Sequence, residues 1–238
     1  MTFQTPQEKY SYVNQMFARI APRYDLMNRL MTGGQDRQWR KLLVKKIQLP
    51  PQGKLLDIAT GTGDIAFEAL QQRADLTHVV GADFTLPMMT VGQRRFPNLS
   101  QRHRLSWSGA DTLHLPFPDN HFDAVVSGFL MRNVINVPLA LADQVRVCKP
   151  GGRVAILEIP RPAETLFGQM FRLYFHQVVP RLGGFISGQA DAYTYLPQSA
   201  DVFLRPDELK LEMERAGLHE VNYAMLMFGT VALHVGCK

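Results

Sequence analysis

Residues 55–64 read Leu55-Leu56-Asp57-Ile58-Ala59-Thr60-Gly61-Thr62-Gly63-Asp64, an apolar run that ends in a glycine-spaced loop and leads into a helical pattern. The run predicts a buried strand. Gly61 and Gly63 predict a tight turn whose backbone lies open to a ligand, and Asp64 the start of a helix with free amides. Outward from this stretch, short apolar runs over 55–59, 79–83, 122–128 and 154–158 alternate with helical periodicity over 64–71, 85–95 and 137–148. Strands separated by helices of this length need crossover connections and form a parallel sheet. The last two runs, 220–226 and 231–235, follow a helical pattern over 206–216 and stand too close together for a crossover. They predict an antiparallel pair at one sheet edge. The expected fold class is α/β: a Rossmann-like seven-stranded, mostly parallel sheet with helices on both faces and an antiparallel C-terminal hairpin.

Ahead of this pattern, Tyr10, Val13, Phe17 and Ile20 recur at helical spacing, and Pro22 and Gly33-Gly34 divide residues 7–47 into three helices. Residues 1–49 are read as a helical cap and 163–200 as a helical insertion, both within a single domain over 1–238. The 238 residues, 46% of them hydrophobic, suffice for one large core. A net charge of +5 admits nucleic acid, anionic membrane or acidic ligands as partners. The basic residues are scattered without aromatic interleaving, which speaks against nucleic acid. Cys148 and Cys237 match neither a metal knuckle nor a disulfide framework, so no metal and a reduced, cytoplasmic setting are expected. Residues 1–6 lack the features of a secretory signal, and no window approaches about 18 uninterrupted apolar residues.

In an open parallel sheet the ligand lies at the carboxyl ends of the strands. The loop from Gly61 to Ala66 also fits a dinucleotide pattern, with Asp83 about 20 residues on, which keeps a nucleotide-dependent oxidoreductase in view. Asp57 stands inside the run leading to the loop, where an anion favours a sulfonium and ammonium ligand and opposes a pyrophosphate. Asp83 suits ribose hydroxyls, and Asp111, followed by Thr112, suits an adenine amino group. Asp57, Gly61, Thr62, Gly63, Asp83, Asp111 and Thr112 together fit S-adenosyl-L-methionine.

Three further stretches are specific. They are Phe17 to Asn28 with Gly34 to Arg40, Arg132-Asn133-Val134 with Arg146 to Gly152 and Leu157-Glu158, and Ala192 to Ser199 with His234 to Lys238. On these the chain resembles, over nearly its whole length, the quinone-ring C-methyltransferases of menaquinone and ubiquinone biosynthesis. It departs from that pattern at Thr60, where the family has glycine, and at Gly128-Phe129-Leu130-Met131, Ile159-Pro160 and Leu226 to Gly229.

The resemblance implies methyl transfer to a ring carbon of a prenylated hydroquinone such as demethylmenaquinol, another small aromatic or lipid acceptor being the alternative. Such a ring reacts as its phenolate, and Arg132 and Asn133 are the candidates for stabilising that oxyanion. The base is open among His176, Tyr195 and water, while Tyr24, Asp25 and Asn28 are candidates for a lid. The stretch 166–179, apolar on more than one face, suits a greasy substrate or peripheral contact with the inner face of a membrane. A homodimer is left open.

Overall fold

The hydroxyl of Thr5 accepts the amide of Glu8 at 3.1 Å and Pro6 fills the first turn, so α1 (Pro6–Ile20) begins where its capping residues dictate. The computed structural model describes residues 3–96 and 99–238. After one 3-10 turn, α2 (Tyr24–Thr32) runs to Gly33, whose φ of 57° closes the helix in a conformation glycine adopts without penalty. α3 (Gln35–Lys46) completes the three N-terminal helices expected.

β1 (Lys54–Ile58), α4 (Asp64–Gln72), β2 (His78–Asp83), α5 (Leu86–Arg95), β3 (Leu105–Gly109), β4 (Phe122–Gly128), α6 (Val137–Val147) and β5 (Cys148–Glu158) then alternate. The insertion is helical throughout: α7 (Leu166–Leu173), a π-helical turn at Tyr174–Val178, α8 (Val179–Ser187) and α9 (Ala190–Asp201). α10 (Pro206–Arg215), β6 (His219–Leu226) and β7 (Val231–Cys237) follow. The sheet order is β3-β2-β1-β4-β5-β7-β6, with β1 to β5 parallel and β7 antiparallel to both β5 and β6. The fold is the Rossmann-like architecture read from the sequence.

Two strands differ in extent from that reading. β3 lies where no strand was placed, because Ser106-Trp107-Ser108 at a half-exposed edge gives no continuous apolar run. β5 starts at Cys148 rather than Val154: Phe122 pairs with Cys148, and the register then shifts before Ala124 meets Arg153. The intervening Lys149-Pro150-Gly151-Gly152 bulges through Gly151 at φ 76°.

Side-chain alternation divides the sheet residues between two cores. Leu55, Val79, Ala124 and Leu157 pack with Trp39, Leu43 and Leu70 of α3 and α4. Leu56, Val125 and Ile156 pack with Leu141, Leu209 and Met213 of α6 and α10 on the other face. A third cluster joins Val13, Met16 and Met27 of α1 and α2 to Phe175, Val179, Tyr193 and Tyr195 of the insertion. Within 1–49, α1 and α2 therefore join this third cluster, whereas α3 lays its apolar stripe on the sheet.

Candidate active site

The loop after β1 is shaped by contacts that involve its polar residues as much as its glycines. Asp57 is fully buried; its Oδ2 accepts the Thr60 hydroxyl at 2.7 Å and the Ala66 amide at 3.2 Å, while Oδ1 has no partner. Burial pushes its carboxyl up to about 7 against the pull of those two hydrogen bonds. Thr60 is accommodated in place of the family's glycine because β2 carries Gly81 beside it, where a Cβ would stand 3.0 Å from the threonine hydroxyl. Gly63 opens α4 at φ 86°, and a Cβ there would lie 2.7 Å from the Trp107 ring, so the loop closes against β3 only with glycine.

Asp83 accepts the Gly61 amide on Oδ2 at 2.8 Å and the Thr85 amide on Oδ1 at 2.7 Å. Its burial raises the carboxyl pKa while these amides oppose the rise. Both oxygens keep lone pairs for ribose hydroxyls. Asp111 accepts the Leu113 amide at 2.9 Å, and the buried Thr112 hydroxyl beside it has no partner. Buried polar atoms without protein partners, here Asp57 Oδ1 and Thr112 Oγ1, are what a site for a polar ligand leaves open. The residues present thus fit the cationic, adenosine-bearing cofactor.

The Thr62 hydroxyl faces the other way and donates to Asp25 Oδ1 at 2.6 Å, tying α2 to the glycine loop. Arg95 pairs with both Asp25 and Asp64, and Arg29 and Arg40 bridge Asp64 to Asp36. This network, which sequence reading did not assemble, joins α2 and α3 to α4 and α5.

Three adjoining cavities lie between the strand ends and the roof of α1, α2 and the insertion. One of about 400 Å³ runs from Gly61 and Asp83 to Val13 and Tyr24, and a second of about 370 Å³ holds Asp111 and Thr112 beneath Tyr10. The third encloses about 910 Å³, part of it open to solvent, and is mostly apolar, with Tyr24, Asn28, Arg132, Asn133 and Tyr195 among its polar lining. Phe17, Tyr24, Phe129 and Asn133 face both the first and the third cavity.

Arg132 and Asn133 follow β4, where Phe129 takes a left-handed φ of 59°. The Phe129 carbonyl accepts both the Arg132 guanidinium and the Asn133 amide at 3.0 Å. Arg132 forms a buried ion pair with Glu158 at the end of β5, and Lys9 Nζ donates to the Arg132 carbonyl at 3.2 Å and the Val134 carbonyl at 2.9 Å. Arg132 Nε and Asn133 Oδ1 have no partners. Glu158 and Lys9 were not among the sequence candidates. The strand-end rule that found Asp57 and Asp83 would have found Glu158 as well, since it ends the apolar run 154–157.

The two proposed bases fare differently. Burial raises the Tyr195 phenol to about 12, so near neutral pH it stays protonated and does not take up a proton, and its hydroxyl has no protein partner. His176 lies outside the large cavity, its ring 2.8 Å from Asp201 in a separate open groove, because the π-helical turn points Phe175 and not His176 inward. Tyr24 is half-buried, and desolvation raises its phenol pKa, with Asn28 and the nearby arginines offsetting part of the rise.

A Rossmann-like sheet with acids at successive strand ends, set beneath a helical roof, defines an S-adenosylmethionine-dependent methyltransferase. The family model described as the ubiE/COQ5 methyltransferase family matches residues 4–238, and the chain belongs to that family. Among its relatives, the demethylmenaquinone methyltransferase of Thermus thermophilus is 45% identical over 93% of this chain and 99% of that one. The ubiquinone/menaquinone biosynthesis C-methyltransferase UbiE of Geobacter sulfurreducens is 38% identical over 97% and 90%. Solved structures share the fold at low identity. A methyltransferase from Aquifex aeolicus aligns with a TM-score of 0.59 at 17% identity, covering 83% of this chain and 88% of that one. Haemonchus contortus phosphoethanolamine N-methyltransferase 2, in complex with S-adenosyl-L-methionine, aligns at 0.63 and 15%, covering 84% and 52%. Family membership also decides against the oxidoreductase that the glycine pattern left in view.

Proposed function

We propose that the enzyme methylates a ring carbon of a prenylated hydroquinone, in particular demethylmenaquinol, the reduced form of the demethylmenaquinone in the names of relatives over 40% identical. The observation that carries this reading is the large apolar cavity, which shares Tyr24 and Asn133 with the compartment of the cofactor residues and has Arg132 in its own lining. An apolar pocket with a few convergent polar groups suits a flat aromatic ring with phenolic oxygens. S-adenosylmethionine supplies the methyl group when bound, held by Asp57, Gly61, Asp83, Asp111 and Thr112.

The protein's own part is to hold the ring carbon facing that donor, an effect that lowers a barrier by several kcal/mol. Arg132 and Asn133 stabilise the phenolate, and the protonated phenols of Tyr24 and Tyr195 donate to its oxygens. With Asp36 held by Arg29 and Arg40, the cavity lining offers no free carboxylate or imidazole as base, which favours proton loss to water. The roof, built from α1, α2 and residues 163–200, covers the cavity on the side away from the sheet and belongs with the sheet to one methyltransferase domain over 1–238. No helix among the described residues is long and apolar enough to cross a membrane. The exposed Leu166, Met170, Leu173 and Phe185 suit peripheral contact with the bilayer that holds such a substrate.

The test is to incubate the protein with methyl-labelled S-adenosylmethionine and either demethylmenaquinol or a demethylated ubiquinol precursor, and to locate the label by mass spectrometry. Label on the naphthoquinol ring supports the reading; a preferred benzoquinol ring shifts it, and an unlabelled ring overturns it.

A further inference from the structure

The insertion carries phenylalanines at four-residue intervals, Phe167, Phe171 and Phe175, with Val179 next in the series. In an α-helix each such step drifts about 40° around the axis. The π-helical turn at Tyr174–Val178 takes up an extra residue and offsets part of that drift, so Phe175 and Val179 are both buried facing the large cavity. Phe171 and Phe175 stack with centroids 5.0 Å apart, and both line the cavity.

The row continues outward onto a second element. Phe167 meets Phe228, in the turn between β6 and β7, at 5.3 Å between centroids. Phe228 (φ 54°) and its neighbour Met227 (φ 44°) both adopt left-handed conformations that cost L-residues about 1 kcal/mol or more each. Met227 itself lines the cavity. Exposure falls along the row from 87% at Phe228 to 41% at Phe167 and 5% at Phe175, with Phe171 half-buried between. A strained turn that holds a phenylalanine 87% exposed gains little in packing beyond its contact with Phe167, and a row of aromatic side chains from surface to cavity marks a ligand route.

Resting on the quinol reading above, we propose that Phe228, Phe167, Phe171 and Phe175 form the track along which the isoprenoid side chain of the substrate leaves the cavity. The cavity, mostly apolar and part of it open to solvent, suits the ring with the first isoprene units, and a longer chain has to continue outside. Aromatic faces in a row suit its methyl-branched, unsaturated repeat, and the exposed Leu166 and Met170 flank the outer end.

The experiment compares an unsubstituted demethylnaphthohydroquinone with its geranyl derivative, both in detergent-free solution, for the wild type and for Phe167→Ser/Phe228→Ser. The expected result is a KM for the geranyl compound raised roughly five- to tenfold, with kcat and the unsubstituted compound unaffected and Phe167→Leu/Phe228→Leu restoring most of the loss. Equal changes for both compounds, or none for either, overturn the proposal. So does a double variant that treats both as wild type does but no longer sediments with phosphatidylethanolamine and phosphatidylglycerol vesicles, since the pair then serves the membrane surface. If the wild type labels neither ring, the quinol reading itself has failed. Unchanged cofactor affinity in the variants shows that they are folded.

Discussion

Glu158 and Arg132 form an ion pair in which 1% and 4% of the two side chains are exposed. The carboxylate also accepts the Arg132 amide at 3.2 Å and the Ile159 amide at 2.8 Å, so one acid at the end of β5 fixes both backbone and side chain of the proposed oxyanion residue.

Removing that acid strands a buried guanidinium. Glu158→Ala should cost about 3–5 kcal/mol in denaturant unfolding, the usual penalty for breaking a buried pair from one side. Glu158→Gln keeps most hydrogen bonds and should unfold closer to the wild type while still losing turnover. A Gln variant with full kcat would show that Arg132 needs no charged partner to act.

Asp83 should dominate cofactor affinity. Asp83→Ala removes a carboxylate that organises the Gly61 and Thr85 amides as well as the proposed ribose contacts. Calorimetry should show roughly ten- to hundredfold weaker S-adenosylmethionine binding. An unchanged affinity would place the ribose elsewhere.

Asp57 should make both stability and affinity pH-dependent. Its folded pKa, about 7, stands above the ordinary carboxyl value of 3.8, so between those two pH values the folded state binds more protons than the unfolded state. Its contribution to stability therefore falls as pH rises through that window and is flat beyond it. A cationic ligand favours the ionised carboxylate, so cofactor affinity should climb through pH 7 with proton release. Titrations in buffers of different ionisation enthalpy measure that release, and Asp57→Asn should abolish it.

The Thr62–Asp25 hydrogen bond predicts a kinetic effect more than a thermodynamic one. Asp25→Ala frees α2 from the glycine loop and leaves Arg95 on Asp64 alone. Stopped-flow release of cofactor should accelerate about fivefold for a stability loss near 1 kcal/mol, with faster amide exchange confined to residues 6–32. Unchanged release would mean that the roof opens without breaking this contact.

The parts legible in the sequence were those with local signals. Apolar runs located the parallel strands other than β3, and with them Asp57 inside the first run, Asp83 at the end of the second and Asp111 ahead of the third, without reference to partners. β3 escaped because an edge strand with Ser106 and Ser108 on either side of Trp107 lacks the apolar continuity of a buried strand. The Arg29, Arg40 and Arg95 network escaped for a different reason: its members come from separate helices, and nothing in local spacing says that they meet at Asp64. His176 illustrates the converse error. Its chemistry suited a base, but which helix face turns inward depended on a π-helical turn that periodicity does not reveal.

Phe17, Tyr24, Phe129 and Asn133 each face two compartments, the one beside Gly61 and Asp83 and the larger apolar one. A side chain that settles against one occupant has altered the wall offered to the other, so the two molecules communicate through four shared surfaces. By reciprocity, whatever factor the acceptor imposes on the donor's dissociation constant, the donor imposes equally on the acceptor's. The spent donor, lacking its methyl group and the sulfonium charge, presents that partition differently.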